Sequence, residues 1–155
     1  MEFTKRYFTI EQAQKLLPEV SRHMQEAQKL LQAINLIESI EIEIEDEDEE
    51  MLFPIEDLTM QKKYHYLQYL FYDEIEKLEK MGCFIKDVEE GLLDFLGSFE
   101  GRDIFLCWKL GEKKIQYWHE LDDGYTGRRP ILYLNHGSQQ KSQRYQRRKR
   151  ISKAV

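Results

Sequence analysis

The chain has 155 residues, 41% of them apolar and 34% charged, with a formal net charge of −6. That length suits one domain hiding roughly 70% of its unfolded surface, with no need of a disulfide or metal staple. No apolar run approaches the ~20 residues of a membrane helix, and Met1–Arg6 lacks the pattern of a signal peptide, so no membrane contact and a cytoplasmic location are expected.

The net charge conceals a segregation. Glu38 to Glu50 carries nine acidic residues and no basic one, whereas Lys141 to Lys153 carries seven basic residues and no acidic one. All eight glycines lie between Gly82 and Gly137. Glycine weakens helix interiors and is often required in turns, so the chain divides into a helical front and a turn-punctuated back.

Thr9 and Gln12 have the form of a capping box, each side chain satisfying a backbone donor at a helix start. Apolar residues then recur at Ile10, Ala13, Leu17, Val20, Met24, Ala27, Leu31 and Ile34, one stripe of an α-helix. Pro18 lacks the N–H and crowds the preceding turn, so a short helix, a kink and a restart are expected there. Ile40 to Glu45 alternates with period two, but clustered like charges favour a loop over an edge strand, and 40–55 is read as an acidic loop. A second helix is expected from about Asp57 to Met81, stopped by Gly82. Its tyrosines occupy more than one face, so the helix is either sandwiched within the domain or meets a partner, self-association as a homodimer being the simpler form of the second.

Four strand-like runs follow: Cys83–Val88, Leu92–Phe95, Arg102–Lys109 and Lys114–Glu120, with Gly97 to Gly101 read as a connection. Close spacing with glycine turns implies an antiparallel meander. The fold class is therefore α+β: a helical hairpin on a C-terminal meander of about four strands, residues 1–135, followed by a basic tail, 136–155. A two-residue turn at Gly111-Glu112 pairs Leu110 with Lys113, and by extension Ile104 with His119. One face then carries Ile104, Leu106, Trp108, Ile115, Tyr117 and His119, and the other Phe105, Cys107 and Trp118.

The run Gly82 … Lys86-Asp87 … Gly91-Leu92-Leu93-Asp94-Phe95 … Leu106-Cys107-Trp108-Lys109-Leu110-Gly111-Glu112 … Trp118-His119 … Gly124 … Gly127-Arg128, with the opening Tyr7-Phe8-Thr9 … Leu16-Leu17-Pro18, resembles a prokaryotic family of uncharacterised proteins, domain of unknown function 2203. The resemblance covers most of Tyr7 to Ile131. It implies a shared fold and carries over no catalytic residue. The chain departs from the family pattern at Leu96-Gly97, where the family usually has a proline, and in the tail after His136.

The candidate catalytic groups are Asp87, Asp94, Glu112, His119 and Arg128, a set that offers a base, an acid and an anion clamp for a hydrolase or isomerase. Arg128, within Gly124-Tyr125-Thr126-Gly127-Arg128, is the first choice for a functional arginine. No metal or cofactor is expected: Cys83 and Cys107 show no ligand spacing, and the register above turns Cys107 away from His119. The tail residues Lys141, Arg144, Tyr145, Arg147, Arg148, Lys149 and Arg150 combine positive charge with an aromatic, a composition suited to the phosphate backbone of RNA, DNA or the ribosome, or to an acidic protein. A non-enzymatic binding or adaptor protein is thus the first expectation and an enzyme the second.

Overall fold

The computed structural model describes residues 5–45, 58–132 and 134. Two helices, α1 (Ile10–Glu45) and α2 (Leu58–Lys80), precede five strands: β1 (Cys83–Asp87), β2 (Leu92–Phe99), β3 (Arg102–Lys109), β4 (Tyr117–Glu120) and β5 (Arg129–Pro130). The strands form one antiparallel sheet in sequence order. The expected α+β plan holds, with one strand more than counted. The short β5 hides from pattern reading because it has two residues and one is proline, which sheets accept at an edge.

Helix α1 opens as the capping box specifies: Thr9 N–H donates to Gln12 Oε1 at 3.0 Å, and Gln12 N–H donates to Thr9 Oγ1 at 3.1 Å. Its buried stripe is Ala13, Leu17, Val20, Met24, Ala27, Leu30 and Ile34. Leu30 takes the place expected for Leu31, which is only half-buried. The helix runs through Pro18 without the expected break and restart. Pro18 lies on the exposed side, where water can satisfy the carbonyl deprived of its donor. The segment Ile40–Glu45, expected as loop or edge strand, continues the same helix. Adding a residue to a formed helix fixes little new backbone, and glutamate is a good helix former, which here overrides the two-residue alternation. The rest of the expected acidic loop, 46–55, lies outside the described residues.

Helix α2 ends at Lys80, and Gly82 stops it: its φ of +96° and N–H bond to Glu79 O close the last turn. The two helices cover one face of the sheet. Ala13, Leu17, Val20 and Met24 of α1 and Leu78 of α2 join Leu93, Phe95, Ile104, Leu106, Trp108, Ile115 and Trp118 in a single core. Phe8 enters from the N-terminal segment, donates its N–H to Leu96 O at 2.8 Å, and packs edge-on against Phe95.

Two connections differ from expectation, and both matter for the site. Strand β2 continues through Gly97 to Phe99 and reverses at Glu100-Gly101, where both residues have positive φ, the geometry of a type I′ hairpin turn. Gly97 is therefore not a turn residue. A Cβ there would lie 3.4 Å from Leu106 Cγ and 3.5 Å from Phe8 O, ordinary packing distances, so this position does not demand glycine. The link from β3 to β4 is no two-residue turn. Glu112 N–H bonds Lys109 O, Gly111 takes φ +102°, and the chain runs on to Tyr117 before pairing resumes. Phe105 then faces His119, and Leu106 faces Trp118. The expected register is off by one residue, and every side chain of β4 changes face.

Candidate functional site

That shift sends Trp118 into the core under the helices and brings His119 to the opposite face. Counting back from Glu100-Gly101 pairs Asp94 with Cys107 on this outer face. Three neighbouring strands thus deliver Asp94, Cys107 and His119 to one place. All three are buried, with Asp94 fully so and His119 3% exposed. Their ligand-type atoms lie within 4.8 Å of one another. The expectation that Cys107 and His119 look away from each other is wrong, because it rested on the two-residue turn.

The imidazole is held at both nitrogens. Nδ1 lies 2.8 Å from the Glu120 carbonyl and Nε2 3.1 Å from Asp94 Oδ2. A carbonyl only accepts, so Nδ1 carries a proton and Nε2 is the nitrogen presented to Asp94. Burial alone would push the His119 pKa down, but the bonds to Asp94 and to the Glu120 carbonyl outweigh it and hold the pKa above the ordinary value. Burial, joined by the Asp94 carboxylate, pushes the Cys107 thiol up to about 12. Such a thiol is no ready nucleophile. Asp94 Oδ1 is buried with no hydrogen-bond partner. Around the cluster, Lys86 Nζ stands 4.0 Å from Asp94 Oδ2 and 4.6 Å from the centre of the Phe105 ring, and that ring also packs on His119 and Phe84.

A second group adjoins the first. Arg128 Nη2 donates to Glu112 Oε1 at 2.6 Å and reaches the Cys107 carbonyl at 3.5 Å. Its guanidinium lies 4.1 Å from the ring centre of Tyr117 and 4.7 Å from that of Tyr125. Burial would lower the Arg128 pKa, but the Glu112 carboxylate outweighs it and the net direction is upward. Glu112 also ties the turn together: its Oε1 accepts from Lys109 N–H at 2.6 Å, and its carbonyl accepts from Trp108 Nε1 at 2.8 Å.

Of the five candidates, Asp94 and His119 meet directly, and Glu112 and Arg128 pair beside them. Asp87 stands apart, its Oδ1 accepting from Glu90 N–H in the turn between β1 and β2. Cys107 is the member that sequence reasoning left out of the site. The Glu100-Gly101 turn was the signal for it, since a two-residue reversal there puts Asp94 opposite Cys107. The tail residues Lys141 to Arg150 lie outside the described residues.

A family model described as "Uncharacterized conserved protein (DUF2203)" matches residues 6–131, and the chain belongs to this family. No curated protein and no solved structure matches it. The sequence motifs that carried the resemblance, from Asp94-Phe95 through Cys107-Trp108, Gly111-Glu112 and Trp118-His119 to Gly127-Arg128, are the stretches that build the two adjoining groups.

Proposed function

We propose that this member of the DUF2203 family is a non-enzymatic, cytoplasmic binding or adaptor protein that contacts the phosphate backbone of a nucleic acid through its basic tail. One observation carries the reading: the groups best suited to acid–base work are engaged in holding the fold. Both ring nitrogens of His119 are taken, Arg128 is paired with Glu112, and Asp87 serves a turn. The concentrated cationic charge of the chain instead lies in Lys141 to Lys153. Counterion release makes such binding steeply salt-dependent. Removing residues 139–155 is expected to abolish RNA and DNA binding. For the intact chain, binding should fall with salt on a log–log slope of at most about −6 on duplex DNA. Binding that survives the deletion and ignores salt would rule the tail out.

A hydrolase- or isomerase-like enzyme is the second reading, favoured by the convergence of Asp94 with His119 and by Arg128 beside them. It would require His119 to give up one of its two bonds in the presence of substrate. The tyrosines of α2 extend the binding reading to self-association: Tyr66, Tyr69 and Tyr72 stand at helical spacing, all more than 60% exposed.

A further inference from the structure

We infer that Asp94, Cys107 and His119 form a binding site for a divalent transition metal ion of the zinc class. The ligand types come first. A thiolate and an imidazole select borderline and soft ions, whereas calcium and magnesium take oxygen donors. The donors come one each from β2, β3 and β4, so the sheet ladder fixes their spacing. This is also why no short sequence spacing announces them.

Their separation fits an ion after modest contraction. Tetrahedral zinc with ordinary bond lengths places its ligand atoms about 3.4–3.7 Å apart, and here they lie within 4.8 Å of one another. The histidine is oriented as a ligand: Nδ1–H is held by the Glu120 carbonyl, leaving Nε2 toward the cluster. A backbone carbonyl on the far nitrogen is the usual way a protein orients a metal-bound imidazole.

Two further features point to an occupant. Asp94 Oδ1 is fully buried without a partner, a costly state for a carboxylate oxygen. The ligand charges also balance: a dication, one thiolate and one carboxylate sum to zero, with the half-exposed Lys86 ammonium at the edge of the group, 4.0 Å from Asp94 Oδ2. From imidazolium and thiol, loading releases two protons, one from Nε2 and one from Sγ, while Nδ1 keeps its own. Three protein donors leave a fourth position for a further ligand. The site lies on the folded domain and stands or falls independently of what the tail binds.

Cobalt(II) titration of the intact, reduced chain tests it. The expected result is one equivalent bound, with a sulfur-to-cobalt charge-transfer band and d–d absorption of tetrahedral intensity, both removed by zinc. Cys107→Ser should lose the charge-transfer band and weaken binding by about 100-fold or more, beyond the 10–100-fold cost of outer-sphere changes. Cys83→Ser should leave both unchanged, since Cys83 sits on the core face. If Cys107→Ser does not fold, Asp94→Asn serves instead, keeping the band with an affinity at least about 10-fold lower. The inference is overturned if the wild type gives no charge-transfer band at stoichiometric cobalt, if the band follows Cys83, or if Asp94→Asn binds as tightly as the wild type.

Discussion

Single side chains tie distant parts of the chain together, and Asp103 shows the pattern. Lys5 Nζ donates to its Oδ2 and Tyr7 Oη to its Oδ1, both at 2.9 Å, which fastens the N-terminal segment to β3. The Lys5 and Tyr7 hydrogen bonds hold the Asp103 carboxyl below its ordinary pKa. A carboxylate depressed on folding adds stability that is present above its unfolded pKa and is lost as pH falls through the folded value. Asp103→Asn is therefore expected to be less stable than wild type at neutral pH. The difference should close as pH drops below ~4, where the wild-type carboxylate takes up its proton. Urea melts of both proteins across this range provide the check, and a gap that stays constant with pH would count against the pairing. At this scale much was legible: the Thr9–Gln12 cap and the Gly82 stop follow from residue chemistry alone. Cys107 was not, because its partners stand on other strands.

Among the elements, the decisive quantity is register. Reading a tight turn where the chain runs on from Lys109 to Tyr117 slips the register by one residue, which reverses the faces of β4 and separates Cys107 from His119. Gly111-Glu112 has the composition of a tight hairpin, but Glu112 Oε1 and its carbonyl accept from Lys109 N–H and Trp108 Nε1, so the chain folds back on β3 before β4 begins. Local composition could not reveal that, since it depends on a side chain reaching its own turn and on Arg128 arriving from further along. The core faces of α1 and β3 were readable because burial imposes its period directly on the residues.

The glycine turns provide a matched comparison at the same scale. Gly91 has φ +66°, and a Cβ there would lie 2.5 Å from Leu110 Cβ, whereas Gly101 has φ +77° and nothing within 4 Å. Gly101→Ala is expected to cost about 1–2 kcal/mol, the strain of a left-handed residue alone. Gly91→Ala adds a clash with Leu110 and should cost about 2–4 kcal/mol in all. Denaturant midpoints at constant slope would measure both, and equal losses would show that Leu110 moves aside freely.

For the molecule as a whole, the sheet has two unlike faces. One is apolar and lies under the helices; the other carries Asp94, Cys107, His119 and Arg128 amid Phe84, Phe105, Tyr117 and Tyr125. Helix α2 in turn shows solvent Tyr66, Tyr69 and Tyr72. If these tyrosines join two copies, sedimentation of the wild type should report a dimer and replacement of all three by glutamine a monomer. A wild type that stays monomeric at every concentration would refute the contact. The helical hairpin and the meander could be foreseen from the glycine distribution and apolar periodicity. The outer face could not, because it exists only once three strands are in register.

The two rims of the sheet bear on how copies can meet. At one rim β5 is two residues long and ends in Pro130, which has no N–H to offer; at the other, β1 slips its pairing between Ile85 and Asp87, at the charged Lys86. Short length, proline and an irregular charged border all discourage a foreign strand from zipping on. Growth of the sheet from molecule to molecule is thereby obstructed at both ends, so crowded solutions of this protein should resist fibrous assembly.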